Sequence, residues 1–335
     1  MNKPIIAVPM GDPNGIGPEI VLKALVNEEV YHYAKPFVVG NADILKGISA
    51  KIGLHPGVRI SYEPENAEYK PGVANVLHKK TEGVERLCIG EIQKEAGLAA
   101  YNYIKYACEL AMAGKALAVA TAPINKESLR AAEINYIGHT EILADLTNTD
   151  DPLTMFEVRN LRVFFLSRHV PLAKAIQICK KERILDYIKR CRRALRQLGV
   201  YDGVMAVAGL NPHCGEHGLF GVEEMSEIEP AVRQAQTEGC AVVGPIGADS
   251  VFAQALSGRY NSVLSLYHDQ GHIATKTLDF ERTVSITIGM PILRTSVDHG
   301  TALDIAGKGI ASPVSMIESI RLAAKYAPSY ARVGH

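Results

Sequence analysis

The chain lacks the features that mark membrane, secreted and nucleic-acid-binding proteins. Its 335 residues carry 36 Lys and Arg against 36 Asp and Glu, so the formal net charge is zero, whereas nucleic-acid binders usually carry a basic excess. No apolar run reaches membrane-spanning length, and no secretory signal precedes the first apolar segment. The six cysteines form no Cys-x-x-Cys pair, which is typical of reduced thiols. We therefore expect a soluble cytoplasmic protein that binds neither nucleic acid nor membrane.

Short β-rich runs alternate with helical patterns, and the sequence shows neither an internal repeat nor a low-complexity linker. The longest predicted helices are 90–113, closed by Gly114, and 182–198, closed by Gly199. The clearest predicted strands are 36–40, 117–122, 162–166, 204–208 and 263–267. This alternation predicts an α/β fold with a largely parallel sheet, in one large or two medium domains.

A glycine-rich loop follows the apolar run 4–10. Its sequence is Gly11-Asp-Pro-Asn-Gly-Ile-Gly-Pro-Glu19. A strand, a glycine turn and a proline at a helix start direct backbone N–H groups at an anion or cofactor. No Gly-x-Gly-x-x-Gly occurs in this segment, so the pattern disfavours a Rossmann fold. We predict that Gly11, Asp12 and Gly15 bind a cofactor.

A second loop of small residues lies near the other chain end, in Asp298-His-Gly-Thr-Ala-Leu-Asp-Ile-Ala-Gly-Lys-Gly309. Small side chains let the backbone approach a flat adenine ring, and Asp304 offers a carboxylate to a ribose diol. Because that carboxylate repels a 2′-phosphate, the loop favours NAD over NADP. The predicted cofactor contacts here are Gly300, Thr301, Ala302, Asp304 and Ile305.

Three histidines follow predicted strands, in Ser167-Arg-His169, Gly209-Leu-Asn-Pro-His213 and Ser265-Leu-Tyr-His268. Ligands bind at the carboxyl ends of strands in open α/β sheets. Three imidazoles that leave one position open suit Zn²⁺ or a similar divalent ion, and the choice among Zn²⁺, Mg²⁺, Mn²⁺ and Co²⁺ stays open. The spacing is long, however, and each histidine taken alone also fits a hydrogen-bonded loop residue.

The two terminal loops together resemble the isocitrate and isopropylmalate dehydrogenase superfamily, whose members oxidise β-hydroxy acids with a metal and NAD(P). Five further blocks, in order, resemble the PdxA family within it, the 4-hydroxythreonine-4-phosphate dehydrogenases of vitamin B6 (pyridoxal phosphate) synthesis. These blocks are Gly138-His-Thr-Glu141, His169-Val-Pro-Leu172, Gly209-Leu-Asn-Pro-His-Cys-Gly-Glu216, Tyr267-His-Asp-Gln-Gly271 and Arg294-Thr-Ser-Val-Asp-His-Gly-Thr-Ala302.

The resemblance implies a fold, an assembly and a set of site residues. The fold would be a two-domain α/β/α architecture with the active site in the interdomain cleft. The predicted terminal domain, 1–130 with 275–335, carries the NAD loops, and the central domain, 131–274, carries the metal ligands and the contacts of a homodimer with shared active sites. His169, His213 and His268 would bind the metal. The substrate and its phosphate would be held by His139, Thr140, Lys276, Ser285 and Arg294.

The chemistry of these residue types agrees with such a substrate. Lys276 and Arg294 provide positive charge for a phosphomonoester, which Arg can bind in a bidentate manner. The same two residue types also form ordinary surface salt bridges. The general base stays open among Asp249, Asp298 and Lys126.

Two positions depart from the vitamin B6 enzymes. Ser285 stands where those enzymes commonly have Asn, and His272 follows Gly271. The chain looks more like the paralogues that oxidise and decarboxylate 4-phospho-D-threonate or 4-phospho-D-erythronate. The alternative is the vitamin B6 enzyme itself. A metal-dependent lyase or aldolase without NAD is a third hypothesis, and the Asp304 loop argues against it.

Overall fold

The computed structural model describes residues 3–80 and 82–333. Within them the chain divides into two compact units: the first runs to Pro152 and resumes at Val284, and the second is Leu153–Thr283. The predicted crossings were near residues 130 and 275. The boundaries between the two compact units lie at 152/153 and 283/284.

Strands and helices alternate along the chain, as the α/β prediction requires. The strands are β1 (Ile5–Pro9), β2 (Lys35–Gly40), β3 (Gly57–Ile60), β4 (Val73–His78), β5 (Ala118–Thr121), β6 (Leu153–Val158), β7 (Leu161–Phe165), β8 (Met205–Ala208), β9 (Val242–Ile246), β10 (Ser262–Ser265), β11 (Val284–Ile288) and β12 (Leu293–Val297). The helices are α1 (Gly17–Val26), α2 (Val30–Tyr33), α3 (Ala42–Lys51), α4 (Lys94–Met112), α5 (Lys126–Ala131), α6 (His139–Leu146), α7 (Leu172–Gln177), α8 (Lys181–Gln197), α9 (Glu229–Thr237), α10 (Val251–Leu256), α11 (His268–Leu278) and α12 (Val314–Val333).

The first unit is built on a mostly parallel sheet in the order β3-β4-β2-β1-β5-β12-β11. The pairing is parallel throughout except between β11 and β12, which run antiparallel. The strand interiors are buried runs of Ala, Val, Ile and Leu, as expected for a sheet covered on both faces. Helix α4 lies close to α5 because Gly97 has no side chain: a Cβ there would lie 2.0 Å from the carbonyl oxygen of Ser128.

The second unit contains the order β6-β7-β10-β8-β9, in which only the β6–β7 pair is antiparallel. Its core is a cluster of apolar side chains from the sheet and from α10, among them Phe156, Phe165, Val251 and Val263. Three of its strands, β7, β10 and β8, are adjacent and parallel. Their carboxyl ends therefore lie at one edge of the sheet.

The long helices end where the glycines predicted. Helix α4 is followed by Gly114 at φ +70 and α8 by Gly199 at φ +79, the left-handed conformation that closes many helices. Among the described residues, no helix combines the length and the apolar character that a membrane crossing needs.

Candidate active site

The two glycine-rich loops from opposite chain ends contact each other in the first unit. The N–H of Ile16 donates to the carbonyl of Thr301 at 2.9 Å. A Cβ added at Gly15 would lie 2.7 Å from the Cβ of Thr301, so a larger residue would push the loops apart. Gly11 is equally constrained, since its φ is +76 and an added Cβ would lie 2.3 Å from the carbonyl of Pro123. The cofactor residues predicted at the two chain ends are thus neighbours.

Asp12 lies beneath this contact and not on its surface. Its side chain is fully buried, and its carboxylate accepts the N–H of Asn14 at 2.9 Å. Burial raises the pKa of Asp12, and the hydrogen bond from Asn14 acts in the opposite direction. Asn14 in turn accepts the N–H of Gly90 at 2.8 Å. In this arrangement Asp12 shapes the turn.

Beside that turn, Gly300 and residues 302–305 are at least partly exposed, whereas Thr301 is buried. Gly300 is exposed, and a Cβ added there would meet no atom within 4 Å. Ala302 has φ +40 and leads into a short 3₁₀ segment, Leu303–Ile305, in which Asp304 is exposed. An accessible backbone next to an exposed carboxylate fits an adenosine whose ribose hydroxyls donate to Asp304.

His139 and Arg294 lie near each other, also in the first unit. His139 is the first residue of α6, and its Nε2 lies 3.1 Å from the carbonyl oxygen of Ala122. Burial, and secondly the positive charge of Arg294, hold the pKa of His139 well below its usual value of 6.5. The imidazole is therefore neutral at pH 7. Thr140, the second residue of α6, is half-buried.

The Arg294 guanidinium is buried and held in one orientation by threonines from neighbouring strands. Its Nε and Nη2 donate to Thr121 Oγ1 at 3.1 and 3.0 Å, and its Nη1 donates to Thr287 Oγ1 at 3.2 Å. Ser285 is two residues before Thr287 on β11, so the two side chains lie on the same face of the strand. Ser285 therefore lies on the face of β11 from which Thr287 accepts the Arg294 guanidinium.

The three predicted metal ligands follow the carboxyl ends of three adjacent parallel strands of the second unit. His169 comes after β7, His268 after β10 and His213 after β8. The ring centroids of His169 and His268 are 5.9 Å apart. Within the described part of a single chain, no group of three or more His, Cys, Asp or Glu side chains is arranged as a metal site. One chain thus brings two of the three rings together.

Asp269 and Gln270 fix the start of α11, where His268 is located. Asp269 Oδ1 lies 2.6 Å from His268 Nδ1. The buried amide of Gln270 accepts the N–H of Leu266 and donates to the carbonyl of Gly209, both at 2.7 Å. Gln270 therefore links the segments that follow β10 and β8. Both residues lie within two positions of His268 in the sequence, but their hydrogen bonds could not be predicted from the sequence.

One side of α11 carries His268, His272 and Lys276, which are spaced four residues apart. The rings of His268 and His272 stack at 4.0 Å, and His272 also packs against Phe156 and Phe165. Burial, with a smaller effect from the charges of His268 and Lys276, lowers the pKa of His272 to about 3. His272 is consequently a neutral ring that supports one face of His268.

His213 lies in a segment that sequence patterns did not predict. Residues 213–217 form a left-handed helical turn with φ between 42° and 78°. Only one of the five is glycine, and each other residue costs about 1–2 kcal/mol in this conformation. Residues held in strained backbone conformations cluster at functional sites. In the sequence, residues 211–221 have the character of a loop that is longer than a simple turn, but nothing in them specifies a left-handed backbone.

The three candidates for the general base are distributed over both units. Lys126 is exposed at the start of α5, and Asp298 is half-buried after β12. Asp249 is exposed after β9 and, with Tyr267 and Asp269, lines a cavity of about 710 Å³ in the second unit. The geometry favours none of them.

Comparisons with known proteins agree on one family. The family described as "Pyridoxal phosphate biosynthetic protein PdxA" matches residues 32–323. A Clostridium botulinum protein named "Putative D-threonate 4-phosphate dehydrogenase" is 59% identical over 329 residues, 98% of each chain. A protein of the same name from Fusobacterium nucleatum is 58% identical over 328 residues, again 98% of each chain. The crystal structure of 4-hydroxythreonine-4-phosphate dehydrogenase from Klebsiella pneumoniae superposes with a TM-score of 0.90 at 42% identity, covering 97% of this chain and 100% of that one.

Proposed function

The chain belongs to the PdxA family, and we propose that it is an NAD- and divalent-metal-dependent dehydrogenase that oxidises and decarboxylates a 4-phosphorylated 3-hydroxy acid. The names of its relatives support oxidation of a phosphorylated hydroxy acid. The observation that carries the metal-dependent part is the placement of His169, His213 and His268 behind three adjacent parallel strands.

His169, His213 and His268 would hold the metal. The hydrogen bond between His268 Nδ1 and Asp269 is the pairing that orients many metal-binding histidines, and it leaves Nε2 available as a ligand. A bound divalent ion lowers the pKa of a coordinated hydroxyl and stabilises negative charge on the neighbouring oxygen.

Arg294 and His139 would bind the substrate from the first unit. The threonine contacts of Arg294 hold its guanidinium in place before the substrate arrives, so little side-chain entropy is lost on binding. His139 is neutral and directs Nε2 at the carbonyl of Ala122, which leaves Nδ1 as an acceptor for a substrate hydroxyl. Thr140 and Ser285 offer further hydroxyls, and Lys276 offers a second positive charge for the phosphate.

The Gly300–Ile305 loop would bind NAD, with Asp304 accepting from the ribose diol. The substrate carbon bearing the 3-hydroxyl then gives a hydride to NAD⁺, and the hydroxyl proton passes to a base. The product would be a β-keto acid. Breaking the bond between its Cα and the carboxylate carbon would release CO₂ and leave the electron pair as an enolate, which then takes up a proton to give a ketone. Asp249, Asp298 and Lys126 remain the candidates for the base.

The substrate that we favour is 4-phospho-D-threonate or 4-phospho-D-erythronate. Relatives named for D-threonate 4-phosphate are 58–59% identical to this chain, against 42% for the solved hydroxythreonine enzyme. Ser285 is smaller than Asn, and its hydroxyl can donate to a substrate hydroxyl as well as accept from one, whereas an ammonium group needs acceptors only. The change from Asn to Ser should therefore weaken selection for the substrate that carries an ammonium group. The alternative is 4-hydroxythreonine-4-phosphate oxidation in pyridoxal phosphate synthesis. A lyase without NAD agrees less well, because these relatives are named dehydrogenases.

The test is NADH formation with 4-phospho-D-threonate, 4-phospho-D-erythronate and 4-phosphohydroxy-L-threonine under one condition, each with and without a chelator. We expect kcat/KM to be highest for one of the two sugar acids and to be lost on chelation. A higher kcat/KM for the amino acid would support the alternative. Activity that survives exhaustive chelation would contradict the metal role, and cleavage without NADH would support a lyase.

A further inference from the structure

The left-handed turn 213–217 begins at His213 and is held by a buried carboxylate. Glu224 is fully buried in a π-helical turn, Glu224–Ile228. Its Oε1 accepts the N–H groups of Leu210 and Asn211 at 2.8 and 2.6 Å. Its Oε2 accepts from Asn211 Nδ2 at 2.8 Å. Three donors therefore compensate the burial of this charge, and all three belong to the residues just before the turn.

Asn211 transmits this constraint to the turn itself. Its carbonyl accepts the N–H of Cys214 at 3.1 Å. Its amide nitrogen also donates to Glu223 at 2.8 Å. The backbone on one side of His213 is thus held by hydrogen bonds that end on two adjacent carboxylates.

The middle of the turn is held by close packing around Gly215. A Cβ at Gly215 would lie 2.7 Å from the carbonyl of Gly221 and 3.0 Å from Glu224 Oε2. The carbonyl of Gly215 accepts the N–H of Phe220 at 3.0 Å. The Glu224 carboxylate is therefore adjacent both to the residues just before the strained segment and to its middle residue. A backbone conformation that most residues avoid is retained because its surroundings leave no alternative.

We propose that Glu224 is a positioning residue that, through Asn211, holds the left-handed turn and so directs the His213 imidazole at the divalent ion. This inference rests on the proposed metal role of His213. Glu224 itself would not touch the ion, since its two oxygens are occupied by the loop. Its effect is to keep His213 in the binding orientation before the ion arrives.

The first experiment measures Co²⁺ affinity of the full-length protein by its visible absorption, together with the thermal unfolding midpoint. Glu224→Gln leaves one carbonyl oxygen where two carboxylate oxygens accepted, so one donor loses its partner. We expect the Co²⁺ dissociation constant to rise about 10–100-fold, the range seen when groups behind metal ligands are changed. Glu227→Gln is the matched control, because Glu227 lies in the same π turn but binds Lys180 and the N–H of Lys181. It should leave Co²⁺ affinity unchanged.

A rescue pair separates positioning from a general loss of structure. In the Glu224→Gln background, Glu216→Gly removes the side chain from a residue at φ 42° and lowers the cost of the left-handed turn. We expect it to restore part of the Co²⁺ affinity. Glu216→Ala also removes the carboxylate but keeps the Cβ, so it should restore none. Equal behaviour of the two double variants would overturn the proposal.

His213→Ala distinguishes this inference from the proposed function. If His213→Ala leaves Co²⁺ affinity intact, the metal role of His213 fails and the positioning role fails with it. If His213→Ala weakens binding but Glu224→Gln does not, only the positioning role is overturned. Should Glu224→Gln fail to fold, Asn211→Ala serves instead. We then expect Asn211→Ala to bind Co²⁺ more weakly than the Glu227→Gln control.

Discussion

Exposure separates the two aspartates of the terminal loops. Asp12 is fully buried and accepts the N–H of Asn14, whereas Asp304 is exposed beside an open stretch of backbone. Both were predicted to bind the cofactor. Only the exposed carboxylate can meet a ribose without rearrangement of the loop, so cofactor preference should depend on Asp304.

Replacing Asp304 by Lys should erase or reverse the preference for NAD over NADP. The carboxylate that accepts the diol would become a cation that attracts the 2′-phosphate. The measurement is kcat/KM for both cofactors. Asp43→Lys, the same change of charge at an exposed position of α3, should leave the ratio unaltered. Equal efficiency with both cofactors in the unsubstituted protein would contradict the assignment.

The neutral state of His139 predicts a dependence of stability on pH. Its pKa in the folded protein lies well below 6.5, whereas the unfolded chain takes up the proton near 6.5. Below that pH the unfolded state binds more protons, so the contribution of His139 to stability is full above about pH 6.5 and falls as the pH is lowered.

The measurement is the thermal midpoint at about pH 7.5 and about pH 5.5, one unit either side of the ordinary histidine pKa. His139→Gln should make the loss of stability between them smaller. His55→Asn, a change at an exposed histidine, should leave the loss of stability between the two pH values unchanged. An unchanged difference in His139→Gln would show that its imidazole is protonated when folded.

Secondary-structure elements bring the candidate site residues close to one another. Helix α11 carries His268, His272 and Lys276 on one side because they are four residues apart. Strands β7, β10 and β8 bring three loops to one edge because they are parallel neighbours. The geometry of helix α11 and of the parallel strands therefore brings these side chains and loops together.

The glycine that closes a helix and a glycine inside a helix should respond oppositely to replacement by alanine: the first change should lower the free energy of unfolding and the second should raise it. Gly114 follows α4 at φ +70, and Gly47 lies inside α3; a Cβ at either would meet no atom within 4 Å. Gly114→Ala should lower the free energy of unfolding by about 1–2 kcal/mol, because alanine disfavours the left-handed region. Gly47→Ala should raise it by about 0.5–1 kcal/mol through helix propensity. Denaturant unfolding of both variants measures this, and effects of the same sign would contradict the explanation.

At the scale of the whole molecule, a single chain brings two of the three predicted metal ligands together. His169 and His268 are 5.9 Å apart between ring centroids, while no group of three forms within the described residues. A homodimer with shared sites, as the family resemblance implied, remains the proposal for how the ligand set is completed.

Mixing two inactive variants tests whether the ligands come from different subunits. Because His169 and His268 lie together in one chain, His213 is the ligand that the partner would supply. His213→Ala and His268→Ala chains should each be inactive alone and should regain activity after they are unfolded and refolded together. If the two ligands belong to opposite subunits, a mixed dimer has one intact site and one site with both defects. About a quarter of all sites would then be intact, given random pairing and the closed two-fold symmetry of a homodimer. If both ligands come from one subunit, every site stays defective and no activity returns.

Much of the secondary structure followed from local patterns. The structure confirms the predicted alternation of strands and helices and the glycines after α4 and α8. It also confirms that His169, His213 and His268 each follow a strand. The α/β class and the PdxA family were confirmed as well. These features depend on neighbours along the chain or on motifs of several residues, both of which are visible in a sequence.

The sequence by itself determined the elements, the family and the residue types available for chemistry. Only the tertiary structure decided which carboxylate is exposed, which cation is fixed by Thr121 and Thr287, and which glutamate holds the turn at His213. The reason is that burial, pKa and backbone strain depend on residues far apart in the chain. Thr121 and Arg294, for example, are separated by 173 residues and meet only because β5 and β12 pair.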